Sequence, residues 1–130
     1  MTFDAIGIAG SALSVHRKWL DAVSDNLANI NTATSTDGAA FQARYIAVQA
    51  GEGTSGVYVQ AAAYGDPEGR LAYEPTNPLA DAEGYVRYPD IDMGSQMSQL
   101  ILAQRGYQAN AAVVDRAKAS YEAALQIGRS

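Results

Sequence analysis

Four groups of side chains have the types and spacings that chemistry uses. His16 is the sole histidine of the 130-residue chain, and an imidazole is the usual proton carrier near neutral pH. Asp66 with Glu68, Asp81 with Glu83 and Asp90 with Asp92 are acid pairs two residues apart, as oxygen ligands or an acid–base couple would be. Gly51, Gly53 and Gly56 form a glycine-rich loop that would suit a phosphate. Asn26 and Asn29 stand three residues apart, which would set both amides on one side of a helix.

Most of these readings lack a necessary component. His16 falls on an apolar seam between Leu13 and Leu20, and the chain has no cysteine and no Gly-x-Ser-x-Gly, so it reads as a packed residue. None of the acid runs has the offsets, glycine and closing Glu of a calcium loop, so they read as solvated turn residues. The glycine loop lacks a Gly-Lys-Ser/Thr ending and reads as a flexible surface loop. A cell-wall hydrolase using Glu74 and Asp81 is the enzyme alternative, but no recognisable constellation accompanies that pair. Phe3, Trp19, Tyr107 and Tyr121 would line a pocket, yet aromatics at helical spacing are more often packing residues.

The amides remain, inside Ser24-Asp25-Asn26-Leu27-Ala28-Asn29-Ile30-Asn31-Thr32. Leu27 and Ile30 keep helical spacing there. Asn31, which tolerates left-handed backbone, and Thr32, which prefers extended backbone, are expected to end the helix.

The element that positions these amides is a predicted helix over residues 3 to 30. Ile6, Leu13, Leu20 and Leu27 recur every seven residues, with Ala9, His16, Val23 and Ile30 three later, which is a heptad seam. Gly7 and Gly10 cost about 1 kcal/mol each in helicity and are read as admitting a neighbouring backbone. A second helix is predicted from Met93, with Asp92 as its N-cap and Gly128 as its terminator. Along it Met93, Leu100, Tyr107, Val114 and Tyr121 repeat every seven residues. Ala103, Asn110, Ala117 and Ala124 follow three later, and Met97, Ala111 and Leu125 widen the stripe.

Between the helices, residues 32–92 hold all four prolines and six of the eight tyrosines. Short strands are expected at Phe41 to Gln49, Val57 to Ala63, Leu71 to Glu74 and Tyr85 to Arg87. The expected fold is therefore mainly α. Two long antiparallel terminal helices form a coiled-coil hairpin (1–31 and 93–130) around a small, β-rich, irregular insert (32–92). Such a hairpin buries one stripe per helix, so the remaining apolar surface needs neighbouring subunits. The residues expected in the helix seam and assembly interface are Ile6, Leu13, Leu20, Val23, Asn26, Leu27, Asn29, Ile30, Met97, Leu100, Tyr107, Asn110, Val114, Tyr121 and Leu125.

Of the net charge of -5, the insert carries nine acidic side chains against three basic ones. No basic surface is visible for a nucleic-acid backbone. No stretch has the apolar length of a membrane span, and no cleavable signal peptide is recognisable, so export would use another route.

Both ends of the chain resemble the bacterial flagellar basal-body rod proteins. The N-terminal signature is matched by Gly10-Ser11-Ala12-Leu13 and by Asp25 to Thr32, and the C-terminal one by Ala103-Gln104-Arg105-Gly106-Tyr107-Gln108-Ala109-Asn110. Tyr73-Glu74-Pro75, Asn77-Pro78, Ala80 to Val86 and Tyr88 to Ile91 resemble the stretch that sets the proximal-rod member apart from its siblings. Gln96 and Gly106 depart from the usual pattern, where an acid and an alanine are common. The resemblance implies a structural subunit stacked helically with itself and other rod proteins around an export channel, transmitting torque for motility. It further implies a periplasmic rod with the membrane ring and export gate at its proximal end. Type III export, no direct membrane insertion, no nucleic acid and no catalytic residue, cofactor or metal belong to the same expectation. The alternative within this class is a sibling rod protein.

Overall fold

A computed structural model describes the backbone of residues 2–129 and the side chains of residues 3–129. In chain order these form α1 (Thr2–Ala28), β1 (Arg44–Ala50), β2 (Val57–Tyr64), β3 (Arg70–Tyr73), β4 (Tyr85–Tyr88) and α2 (Met93–Arg129). The two long helices and the four-stranded insert thus stand where the periodicities place them. No helix is long and apolar enough to cross a membrane among the described residues.

Helix α1 ends two residues before Ile30, and by a different device from the expected one. Among the described residues no non-glycine has positive φ, so Asn31 does not adopt the left-handed conformation. Asn29 closes the helix instead: its Nδ2 donates to the Asp25 carbonyl at 2.9 Å and its Oδ1 accepts from the Thr32 hydroxyl at 3.2 Å. The side chain thus adds a second bond to a carbonyl that already accepts the Asn29 N–H at 3.1 Å, and it ties Thr32 to the helix end. Asp92 starts α2 as expected, its Oδ2 accepting from the Ser95 N–H at 2.7 Å. Gly128 does not terminate α2, which continues to Arg129.

Contacts divide the chain into two compact units, and both helices and the β1–β2 hairpin contribute to each. One comprises the chain up to Leu20, Ile46–Ala61 and the chain from Ile101. Here Phe3 meets Tyr121 edge to face at 5.0 Å, and the turn joining β1 to β2 docks on α1. Gly56, with φ of 80°, lies so close to Ser11 and Ile8 that a side chain there would overlap them. The Val57 N–H donates to Ser11 Oγ at 3.0 Å, and that hydroxyl donates to the Ile8 carbonyl at 2.7 Å.

The other unit comprises Asp21–Tyr45 and Ala62–Leu100. Strands β3 and β4 pair antiparallel with Arg70 opposite Tyr88, Leu71 opposite Arg87, Ala72 opposite Val86 and Tyr73 opposite Tyr85. Period-2 alternation turns Val86 into the core, fully buried, and leaves Leu71, Tyr73 and Tyr85 exposed. Arg87 ties the unit together: its guanidinium donates to the Thr36 carbonyl and to Glu68, and its backbone bridges Thr34. β1 begins at Arg44 rather than Phe41, and before it the two segments are joined by single bonds, from the Gly65 N–H to the Ala43 carbonyl at 2.7 Å and from the Ala40 N–H to the Pro67 carbonyl at 2.8 Å. Gln42 Nε2 donates to the Gly65 carbonyl at 2.8 Å.

Candidate functional site

Asn26 is 1% exposed and Gln96 2%, and burying two amides costs stability unless their hydrogen bonds are met. They are met by each other and by the backbone. Asn26 Nδ2 donates to Gln96 Oε1 at 3.1 Å and to the Arg44 carbonyl at 3.0 Å, while its Oδ1 accepts from the Arg44 N–H at 2.8 Å. The amide therefore pairs with Arg44 as a neighbouring strand would. It joins the end of α1, the start of β1 and the first turn of α2, and Arg44 is further held by an ion pair to Asp25. Asn29, whose amide was expected beside that of Asn26, serves the helix end instead.

Of the other expected seam residues, Val23 is buried. Ile6, Leu13, Leu20, Leu27, Ile30, Leu100, Asn110 and Val114 are half-buried, and Met97, Tyr107, Tyr121 and Leu125 are exposed. Buried positions of the two helices absent from that set are, among the described residues, Ala9, Val15, Ala22, Gln96 and Ala103. Ala9 and Ala103 carry seven-residue signals. Gln96 is legible only as an uncharged amide one position from Met97, and nothing in the sequence points it at Asn26.

His16 Nδ1 lies 2.7 Å from the Ala12 carbonyl, so Nδ1 carries the proton. The imidazole rests against the backbone of Gly106, where a methyl group would overlap it. Gly106 is therefore a seat for the ring. Gly7 and Gly10, expected to admit a close backbone, have, among the described residues, nothing beyond their own helix within 4 Å of where a side chain would begin.

The hydrolase alternative fares poorly at its own residues. Hydrogen bonds from Asn77 and Tyr88, aided by Arg70, hold Glu74 below the usual carboxylate range. Asp81 is lowered chiefly by the Tyr85 N–H, with Thr36, Glu83 and Gly84 assisting. A general acid needs the opposite shift. Among the described residues no cluster of potential metal ligands occurs.

Much apolar surface is left unpartnered. On α2 Met93, Met97, Ile101, Leu102, Tyr107, Val113, Leu125 and Ile127 are exposed, Leu102 at 58% and Ile127 at 76%. Leu102, Val113 and Ile127 were not anticipated by the heptad count. They fall on a second stripe, turned away from the line through Gln96, Ala103 and Asn110.

Residues 6–33 match the family described as flagella basal body rod protein, and residues 82–127 match flagellar basal body rod FlgEFG protein C-terminal. The flagellar basal-body rod protein FlgC of Salmonella typhimurium is 38% identical over 126 residues, covering 94% of each chain. FlgC of Bacillus subtilis is 31% identical over 98% of each chain, and FlgC of Aquifex aeolicus 36% over 92%. Similarity of that extent, over both helices and the insert, means that this chain belongs to the FlgC family of flagellar basal-body rod proteins.

Proposed function

We propose that the chain is a structural subunit of the proximal rod, polymerising with its own copies and other rod proteins around the export channel. It carries torque from the membrane ring to the distal rod and hook. In this reading 1–31 and 93–130 form an antiparallel coiled-coil pair, 32–92 is the insert, and the expected seam residues share the pairing and the subunit contacts. The subunit leaves the cytoplasm through the flagellar export apparatus. It stands in the periplasm with the membrane ring and export gate at its proximal end.

The observation that carries this is the exposed apolar surface of the helices in a chain whose relatives bear the name of rod proteins. Exposed apolar area of that extent marks protein contact. Antiparallel pairing is supported by partner numbers that run in opposite directions, Phe3 with Tyr121 and His16 with Gly106.

Leu20→Asp tests the reading. Removing a leucine costs up to about 1.5 to 3 kcal/mol, less where burial is partial, and a desolvated charge adds more. The defect recurs in every copy. The expected outcome is a non-motile cell that exports the variant but builds no rod beyond the membrane ring, while volume-conserving Leu20→Met swims. Normal rods with Leu20→Asp would remove Leu20 from any packed seam.

A further inference from the structure

The β1–β2 hairpin is a two-stranded ribbon, so each strand has one edge without a neighbouring strand. In an antiparallel pair, alternate residues turn their N–H and C=O away from the partner strand. The fold completes such groups at two points: the Asn26 amide takes both groups of Arg44, and Ser11 Oγ takes the Val57 N–H. Along Ile46–Ala50 and Val59–Ala61, no bond to the outward-facing groups occurs among the described residues.

Proteins normally blunt an open edge with lysine or another charge, proline, or a covering element. Neither arm has a proline, and the one charge, Arg44 at the start of β1, is paired with Asp25; Tyr45-Ile46-Ala47-Val48-Gln49-Ala50 and Val57-Tyr58-Val59-Gln60-Ala61-Ala62-Ala63-Tyr64 are neutral. Ala47, Val48, Gln49, Ala50, Gln60 and Ala61 are exposed. An edge left this sticky is one that something pairs with. In a chain of net charge -5, a neutral ribbon is also where two copies approach without like-charge repulsion.

We propose that the hairpin is an edge-pairing surface for a second copy of this chain, the open edge of β1 in one subunit hydrogen-bonding to the open edge of β2 in the next. Two different edges meet, so the contact is head-to-tail and propagates instead of closing on a dimer. This rests on the assembly reading and adds to it a backbone contact outside the helices. Register follows from side-chain fit between the small residues of one arm and the tyrosines and valines of the other.

The absence of cysteine permits a direct test. Val48→Cys is co-expressed with Val59→Cys or with Ala61→Cys, and basal bodies are purified from swimming cells and oxidised. Paired strands hold opposed Cα atoms about 4.5 to 5.5 Å apart, within disulfide reach. The expected result is a disulfide-linked dimer in at least one mixed preparation and none with Val48→Cys alone. A second arm uses Val48→Lys, which adds a charge at an exposed position, with Val48→Thr as control. Val48→Lys should keep the monomer's circular dichroism, reduce rod yield at least tenfold and abolish swimming, while Val48→Thr swims. Wild-type rods containing the chain but no mixed dimer, together with motile Val48→Lys cells, overturn the edge pairing and leave the rod assignment intact. Absence of the chain from wild-type basal bodies would overturn both.

Discussion

Gly106 illustrates how a residue that looks like a flaw can be a fit. Glycine inside α2 costs about 1 kcal/mol against alanine, so Gly106→Ala on helix propensity alone should stabilise. The His16 ring, anchored through Nδ1 to the Ala12 carbonyl, occupies the space that the methyl needs. Moving the ring loses that bond, worth about 0.5 to 1.5 kcal/mol, and overpacking typically costs about 1 to 3. Gly106→Ala should therefore lower stability by about 1 to 2 kcal/mol net, whereas Gly106→Ala in a His16→Ala background should be neutral or stabilising. Denaturant midpoints of the four proteins give the coupling directly. Additive effects would mean that the ring does not sit on Gly106. Asn26 belongs to the same scale: its buried side chain bonds two other elements at once.

Among elements, the turn from β3 to β4 is held by ionised groups, which makes it sensitive to pH. Glu74 accepts from Asn77 Nδ2 at 2.8 Å and from the Tyr88 hydroxyl at 2.9 and 3.1 Å. Asp81 Oδ1 accepts the Glu83 and Tyr85 N–H groups at 3.0 and 2.9 Å, and its Oδ2 accepts the Thr36 hydroxyl at 3.0 Å. Both carboxylates are lowered by these bonds. A depressed acid contributes stability that is complete above the ordinary carboxylate range and is lost as pH falls through its lower folded value. Tyr88 is raised, chiefly by its bond to Glu74, so its contribution is complete below the ordinary phenol value and lost above it. The Gly84 and Tyr85 amides should therefore lose exchange protection in acid, below about pH 4, while the helices remain. Asp81→Asn should weaken the turn at neutral pH and flatten its acid limb. An unchanged acid profile in that variant would show that Asp81 does not hold the turn.

For the whole molecule, the consequence of unpartnered helix surface is that ordering depends on neighbours. Every residue of α2 from Lys118 to Arg129 is exposed. Such a segment is about three turns long, and isolated helices shorter than about 12 to 15 residues are marginal in water. Hydrogen exchange on dilute protein should accordingly find residues 118–129 nearly unprotected. The same amides in purified rods should be protected at least a hundredfold. Full protection in the dilute chain would mean that α2 is stable without neighbours. Lysine and arginine outnumber acids from residue 93 onward, four to two, while the insert is acidic, so neighbouring subunits can also be oriented by charge.

What the sequence determined by itself was local. Seven-residue periodicity located two helices, proline and glycine density marked the insert between them, and Asp92 announced the start of α2, because each of these signals is written within a few neighbouring residues. The motifs at both ends were enough for the rod-protein resemblance. Tertiary structure alone decided who meets whom. Asn26 finds its partners 18 and 70 residues away, and no periodicity encodes separations of that size. A heptad count gives the direction of a stripe but not its width, so Leu102, Val113 and Ile127 emerged as a second exposed stripe only once α2 was placed. Glycine has no side chain to advertise its purpose. Gly7 and Gly10 looked like close-approach sites and are open within the chain, while Gly56 and Gly106 do that work, because a close approach is a property of two backbones or a backbone and a ring, and the sequence names only one member of the pair.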